Sequence, residues 1–322
     1  MNYANISGKI SVIFACVLLL ATGASAQVSL RSAVDTDKDG KADFTIVRPS
    51  NNGWYTYRSG GGFAIQQFGV ANTDTPAPGD YDGDGKADLS VYRDTDGIWY
   101  RINSSDGTFV GVKFGITGDE PVARDYDGDG TTDIAVVRRS NGYMVWYILG
   151  SLDGFSATQF GLSGDFTAPG DYDGDKKFDL AIQRPGATPT SQANFYILKS
   201  TDKSFYVVPW GYSKDFVAPG DYDGDGKTDI AVVREGVKTT DNMVWYALRS
   251  TDGSLLALQF GLSDQDIICQ NDYDGDGKTD PAVWRNTTGM FYYLGSNNGF
   301  SGLSAVQWGS PNDFPVAGYD TH

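Results

Sequence analysis

The sequence predicts an all-β protein, a single domain made of six copies of one four-stranded unit, and three observations lead there. The acidic string D-x-D-x-D-G-x-x-D begins at Asp35, Asp80, Asp125, Asp221 and Asp272, and again at Asp171 with Lys176 in place of the glycine. Successive copies start 45, 45, 46, 50 and 51 residues apart. Three further features keep phase with the string. An arginine stands five residues beyond its last aspartate: Arg48, Arg93, Arg138, Arg184, Arg234 and Arg285. A double aromatic follows at Trp54-Tyr55, Trp99-Tyr100, Trp146-Tyr147, Phe195-Tyr196, Trp245-Tyr246 and Phe291-Tyr292. An aromatic–glycine pair closes each unit at Phe68, Phe114, Phe160, Trp210, Phe260 and Trp308.

Each element of the unit has its own reason. The run A-P-G before the string is small enough for an innermost strand, where the copies crowd an axis. After the string, residues 229–234 (D-I-A-V-V-R) alternate apolar and small side chains with the period of two that marks a strand. The double-aromatic segment and the segment ending in aromatic–glycine supply a third and a fourth strand. Glycine- and serine-rich turns separate them, and no stretch holds a helical period. Four strands at this spacing describe one blade of a β-propeller. Six blades are expected; the alternative, seven blades with one incomplete, would need about another 45 residues by the same period. The aromatic pairs are expected to pack between blades rather than to stack on a ligand.

Ring closure is the ambiguous step. Residues 313–319 read as a seventh innermost strand, with Tyr319 where a seventh string would begin. An aspartate precedes each string from the second onward by six residues, which predicts the pairs Asp74–Arg93, Asp119–Arg138, Asp165–Arg184, Asp215–Arg234 and Asp266–Arg285 across the first two strands. Residues 29–34 have Ser29 at that place, so Asp313 is expected to serve Arg48 and join the chain ends. Residues 29–34 and 313–319 then compete for one inner position.

The acidic string also has a chemistry of its own. Calcium takes six to eight hard oxygen ligands, and carboxylates at alternate loop positions converge on one point. Positions one, three, five and nine are aspartates, position seven offers its backbone carbonyl, and the glycine at six permits the sharp turn. The candidate ligands are Asp35, Asp37, Asp39, Lys41 and Asp43; Asp80, Asp82, Asp84, Lys86 and Asp88; Asp125, Asp127, Asp129, Thr131 and Asp133. In the last three copies they are Asp171, Asp173, Asp175, Lys177 and Asp179; Asp221, Asp223, Asp225, Lys227 and Asp229; Asp272, Asp274, Asp276, Lys278 and Asp280. An EF-hand would carry a bidentate acid at position twelve, where this chain has Ile46, Val91, Val136, Ile182, Val232 and Val283. About six Ca²⁺ are therefore expected, one per string. The loop with Lys176 should be the weakest, since a left-handed residue other than glycine is strained.

Residues 1–26 read as a secretory signal peptide: Lys9, an apolar stretch at 10–21, and A-S-A at 24–26 as the cleavage site. The remaining domain, 27–322, is expected to be secreted, extracellular or periplasmic. Cys16 lies in the signal, so Cys269 is left alone and no intramolecular disulfide is expected. The formal charge of −16 becomes −17 without Lys9, and six Ca²⁺ would bring it to −5. So acidic a chain repels phosphate backbones and anionic lipid, which argues against nucleic-acid partners and membrane insertion. The one histidine is His322, which excludes histidine-based triads, and no G-x-S-x-G elbow occurs.

With Phe-Gly, a strand, D-Y-D-G-D-G-K-T-D and a hydrophobic strand recurring from residue 29 onward, the sequence resembles the FG-GAP (VCBS-type) repeat family, which includes the integrin alpha-subunit propeller and some calcium-dependent fungal lectins. The resemblance implies a propeller with calcium between the first and second strands of a blade, and extracellular recognition work. An adhesion or recognition module with a glycan or surface-protein ligand is therefore expected. A calcium-assisted hydrolase or lyase and a structural envelope component are the alternatives. The loops joining second to third strands should emerge opposite the acidic loops. They span five residues at 49–53 but ten at 185–194 and 235–244, and the two long ones are expected to border the ligand pocket.

Overall fold

The computed structural model describes residues 33–317. The expected signal peptide, Ser29 and Tyr319 lie outside the described residues. Every strand belongs to one of six four-stranded antiparallel sheets. From the axis outward, blade two runs Asp74–Pro76, Leu89–Arg93, Ile98–Ile102 and Phe109–Lys113. Blade three runs Glu120–Pro121, Ile134–Ser140, Tyr143–Gly150 and Gly154–Leu162; blade four runs Phe166–Thr167, Leu180–Arg184, Gln192–Leu198 and Phe205–Tyr212. Blade five is Phe216–Val217, Ile230–Arg234, Asn242–Leu248 and Leu255–Leu262, and blade six is Asp266–Ile268, Ala282–Arg285, Met290–Leu294 and Leu303–Gln307. The protein is a six-bladed β-propeller, as the repeat count predicts.

Blade one takes Phe44–Arg48, Gly53–Tyr57 and Phe63–Gln67 from the start of the domain and Phe314–Val316 from its end. Phe314 faces Val47 and Val316 faces Thr45. Arg48 donates two bonds of 2.8 Å to Asp313, so the expected link between the chain ends forms. The two ends share the inner position between them. The amide of Asp43 donates to the carbonyl of Val34, the contact that Asp88 makes with Gly79 in blade two. The N-terminal residues thus fill the foot of the inner position and the C-terminal strand fills the rest, end to end.

Burial corrects one detail of the strand pattern. The second strands do not alternate between core and solvent: Ile230, Ala231, Val232 and Val233 are all buried. Each blade is covered on both faces, so alternate residues serve different neighbours. Ala135, Val137 and Trp146 of blade three pack with Leu180 and Ile182 of blade four. Ala181, Phe195 and Ile197 of blade four pack with Ile230 and Val232 of blade five. The first ring of each double aromatic lies in these inter-blade cores, as expected, and Trp54, Trp99, Trp146, Phe195, Trp245 and Phe291 are all buried. Removing so large a side chain from water stabilises by roughly 2–3 kcal/mol each.

In blades one, two, three and five the buried indole N–H donates to the carbonyl of the residue just before the closing glycine, at 2.9–3.2 Å. In blade six, where the aromatic is Phe291, Trp284 from the second strand makes the bond instead. Blade four has Phe195 and, at the place of Trp284, Gln183. That amide is fully buried with neither polar atom hydrogen-bonded. An unpaired buried polar group costs about 1–3 kcal/mol. Gln183→Val, which copies Val47, Val137 and Val233 at the same place, should therefore raise the melting temperature by several degrees in calorimetry.

Candidate metal centre

In blades two to six the acidic loop joins the first strand to the second, in blade one it follows Val34 at the foot of the inner position, and in all six the aspartates divide the work by position. At position one both carboxylate oxygens accept backbone amides of the same loop, from positions four and six. Asp80, for example, takes Gly83 and Gly85 at 2.7 Å each, and Asp272 takes Gly275 at 2.6 Å and Gly277 at 2.9 Å. Position five accepts the amide of position seven, as Asp225 does from Lys227 at 2.9 Å. Position nine is the most buried, and Asp179, Asp229 and Asp280 are fully inaccessible. Its two oxygens take the amide of position two and an amide from the turn beyond the third strand; Asp88 accepts Tyr81 at 2.9 Å and Ser104 at 2.6 Å.

That second donor is a serine in all six blades: Ser59, Ser104, Ser151, Ser200, Ser250 and Ser296. Its hydroxyl donates to the position-five aspartate, as Ser151 does to Asp129 at 2.8 Å. The sequence reading missed these serines because their distance from the acidic string varies. The signal that finds them is a fixed offset of five residues from the first ring of each double aromatic. Tyrosine at position two has a role as well: the hydroxyls of Tyr81, Tyr172, Tyr222 and Tyr273 each donate at 2.8 Å to the carbonyl four residues earlier, pinning the loop to the inner strand.

The donor set fits a hard cation. Oxygens of Asp35, Asp37 and Asp39 lie within 4.8 Å of one another, as do those of Asp80, Asp82 and Asp88, of Asp125, Asp127 and Asp133, of Asp171, Asp173 and Asp179, and of Asp221, Asp223 and Asp225. The position-three carboxylate supplies the sharper observation. Oδ1 of Asp37, Asp127 and Asp173 is buried with no hydrogen-bond partner. A buried anionic oxygen is costly unless a cation or a donor meets it. In Asp82, Asp223 and Asp274 the same atom has only a long 3.3 Å contact from the amide two residues on. These clusters can hold a metal ion. The side chains at position seven take no part: Lys41, Lys177, Lys227 and Lys278 lie over glycines of the preceding loop, leaving the backbone carbonyl as the candidate donor.

Burial raises the carboxyl pKa at positions one and nine against the N–H donors that lower it. Asp88, Asp133, Asp171 and Asp221 are pushed up to about 6, and Asp179, Asp229 and Asp280 to about 7. Neighbouring aspartates add repulsion in the same direction, Asp173 on Asp179 among them.

Positions four and six are both left-handed, with φ of 76° and 85° at Gly83 and Gly85. Lys176, at position six, keeps that conformation at 72° and still donates its amide to Asp171. The sequence reading named only this departure. Lys38 is a second, at position four of the first loop, with φ of 64°.

The opposite face carries a different repeated unit. The five predicted aspartate–arginine pairs form, each with two bonds, Arg93 to Asp74 at 2.7 and 2.9 Å for instance. Each aspartate also accepts an amide from the turn after the closing glycine. The second ring of the double aromatic lies under the guanidinium, 4.5 Å away for Tyr100 and Arg93. Between blades one and two this face opens into a cavity of about 370 Å³, lined by Asn51, Asn52, Gln67, Phe68, Gly69, Arg93, Tyr100 and Phe109. None of these comes from the two long loops expected to border a pocket. Those loops fold onto their own blades: Asp241 accepts the amides of Val237 and Lys238, while Ser213 and Ser263 bind the amides of Gly186 and Gly236. The third strands of blades four and five also begin earlier than the sequence suggested, at Gln192 and Asn242.

A closed ring of six antiparallel blades, with acidic clusters on one face that can hold a metal ion, defines a β-propeller of acidic-loop repeats. The FG-GAP-like repeat family matches residues 35–91 and 125–182, which hold the first four acidic loops. The chain is thus a six-bladed propeller, two stretches of which match the FG-GAP-like repeat. No curated protein matches the sequence. Among solved structures it is similar to an Agrocybe aegerita lectin described for specific recognition of non-reducing terminal N-acetylglucosamine, at 15% identity over 84% of this chain and 91% of that one, with a TM-score of 0.54. It is also similar to a triple arginine-to-alanine mutant of AofleA from Arthrobotrys oligospora, at 12% identity over 90% of each chain and a TM-score of 0.49. At these identities the likeness is one of fold.

The raised carboxyl pKa values set a pH dependence for the metal-free chain. A carboxyl whose folded pKa exceeds its unfolded value contributes stability at low pH that is lost as pH rises through the folded pKa. For Asp179, Asp229 and Asp280 that loss runs from about pH 4 to about 7. With chelator present, the melting temperature should rise as the pH is lowered from about 8 to about 5. A flat or opposite trend would show that these carboxylates are not held in the burial described.

Proposed function

We propose that this chain is an exported, calcium-binding recognition module whose ligand is a glycan, and that it acts by binding rather than by catalysis. The observation that carries the reading is the cavity between blades one and two. Phe68 and Phe109 meet edge to face there at 6.4 Å, beside Tyr100 and the amide side chains of Asn51, Asn52 and Gln67. A pyranose presents an apolar face of C–H groups and a rim of hydroxyls, which suits aromatic walls edged by amides that both donate and accept. The lectin of similar fold supports the same direction. Among the described residues no helix is long and apolar enough to cross a membrane, and export rests on the signal-like residues 1–26.

Calcium is the cation this donor set suits: carboxylate and carbonyl oxygens at alternate positions of a loop, with no nitrogen or sulfur among them. Asp35, Asp80, Asp125, Asp171, Asp221 and Asp272 would anchor one ion each. Bound ions would neutralise the repelling carboxylates and hold the blades in register, while recognition takes place on the other face.

Elemental analysis of the purified chain should find about six calcium ions, and chelation should lower the melting temperature, because a ligand bound only by the folded state stabilises it. One ion or none, with a melt indifferent to chelator, would remove the calcium reading. Lys38→Gly and Lys176→Gly should each raise the calcium affinity measured by titration, by relieving strain of about 1 kcal/mol. For the ligand site, a glycan array with and without calcium should identify a sugar whose affinity falls about tenfold or more in Phe109→Ala, a loss of ~1.4 kcal/mol. Binding that survives this change but is lost on shortening both 185–194 and 235–244 would return the site to the long loops.

A further inference from the structure

The six acidic loops are not separate. The amide at position eight of each loop donates to the carbonyl of the position-one aspartate in the loop before it. Ala87 donates to Asp35 at 2.7 Å, Thr132 to Asp80 at 2.6 Å, Phe178 to Asp125 at 2.9 Å, Thr228 to Asp171 at 2.7 Å and Thr279 to Asp221 at 2.6 Å. Ala42 donates to Asp272 at 2.8 Å, and the circle closes. We propose that this circle makes the loops fill with calcium cooperatively, each occupied loop ordering the next.

The coupling runs through one peptide unit. The position-eight N–H belongs to the same planar group as the position-seven carbonyl, so neither can turn without the other. That carbonyl is the backbone donor expected in its own loop. The aspartate receiving the N–H is the anchor of the preceding loop, its carboxylate fixed by positions four and six. Ordering one loop therefore orients a ligand-bearing peptide in the next.

Side chains reinforce the same junctions. Lys41, Lys177, Lys227 and Lys278 lie over Gly275, Gly128, Gly174 and Gly224 of the preceding loops so closely that a methyl group on those glycines would come within 2.6–3.0 Å. At five of the six junctions the residue before the string and the position-eight residue of the following blade are matched in size, and at the other the Arg124 guanidinium lies 5.9 Å from the ring of Phe178. Gly79 faces Thr132, Gly170 faces Thr228 and Gly220 faces Thr279, with 2.5–2.6 Å between a glycine methyl and the threonine. Where the first partner is larger, as at Val34 and Asn271, position eight is Ala87 or Ala42.

The proposal rests on the calcium reading, which has support beyond the acidic cluster itself: Asp127 is only 6% exposed and its Oδ1 has no partner. Coupling between sites of one protein is typically about 5-fold or more.

The test is a calcium titration of the full metal-free chain, followed by calorimetry and by a competing chelator dye. The wild type should bind with a Hill coefficient above 1. Gly220→Ala, which places a methyl group against Thr279 and touches no carboxylate, should lower that coefficient with the number of bound ions unchanged. Gly220→Ala combined with Thr279→Ala, which copies the pairing of Val34 with Ala87, should restore it, and Thr279→Ala alone keeps the amide and should titrate as the wild type does. About six ions binding to the wild type with a Hill coefficient of 1 would overturn the coupling and leave the calcium reading intact. A Gly220→Ala chain that titrates like the wild type would overturn it equally. No calcium binding at all would overturn both readings. Should Gly220→Ala not fold, the wild-type coefficient and the double variant decide the matter.

Discussion

Six buried aspartates, Asp43, Asp88, Asp133, Asp179, Asp229 and Asp280, tie each acidic loop to the hairpin of its own blade. One oxygen holds the loop at position two, and the other holds the serine amide beyond the third strand. A buried carboxylate that organises two segments in this way must be met by opposite charge or by a proton, since desolvation works against its ionised form. Here burial pushes three of the six up to about 7, so without a cation these groups sit on the edge of protonation near neutral pH. The remaining architecture follows from satisfying them. Tyrosines brace the loops from the inner strand, the serines close them from outside, and the position-three oxygens of Asp37, Asp127 and Asp173 stay unpaired among the clustered carboxylates.

The two faces of the ring carry different repeated units. On one, carboxylates and glycines recur in register with little variation in loop length. On the other, each arginine is held by an aspartate and laid on a tyrosine, beside the polar and aromatic side chains around Asn51 and Phe109.

Most of the fold was legible because its period was long, regular and marked by residues with strict conformational needs. Acidic string, arginine, double aromatic and Phe-Gly each fall at the same register of every blade, and Asp74–Arg93 with its four counterparts could be placed by counting residues. Three things were not legible. Alternation in the second strands was overread, because a blade buried on both faces lets Ile230 through Val233 all be apolar. The sharing of one inner position by Val34 and Phe314–Val316 depends on how the two ends meet in space, which a linear period does not record. Loop length did not reveal that Asp241, Ser213 and Ser263 collect residues of 185–194 and 235–244 onto their own blades. The serines at the metal loops show the same limit from the other side, since their register is kept by the third strand and not by the acidic string.

Closing blade one with Phe314–Val316 has a consequence for where the ring is most easily opened. Each of the other five blades is one continuous run of chain, whereas blade one is completed by a three-residue strand and by the two bonds from Arg48 to Asp313. Loss of that ion pair therefore loosens the ring at the one blade that no continuous segment completes.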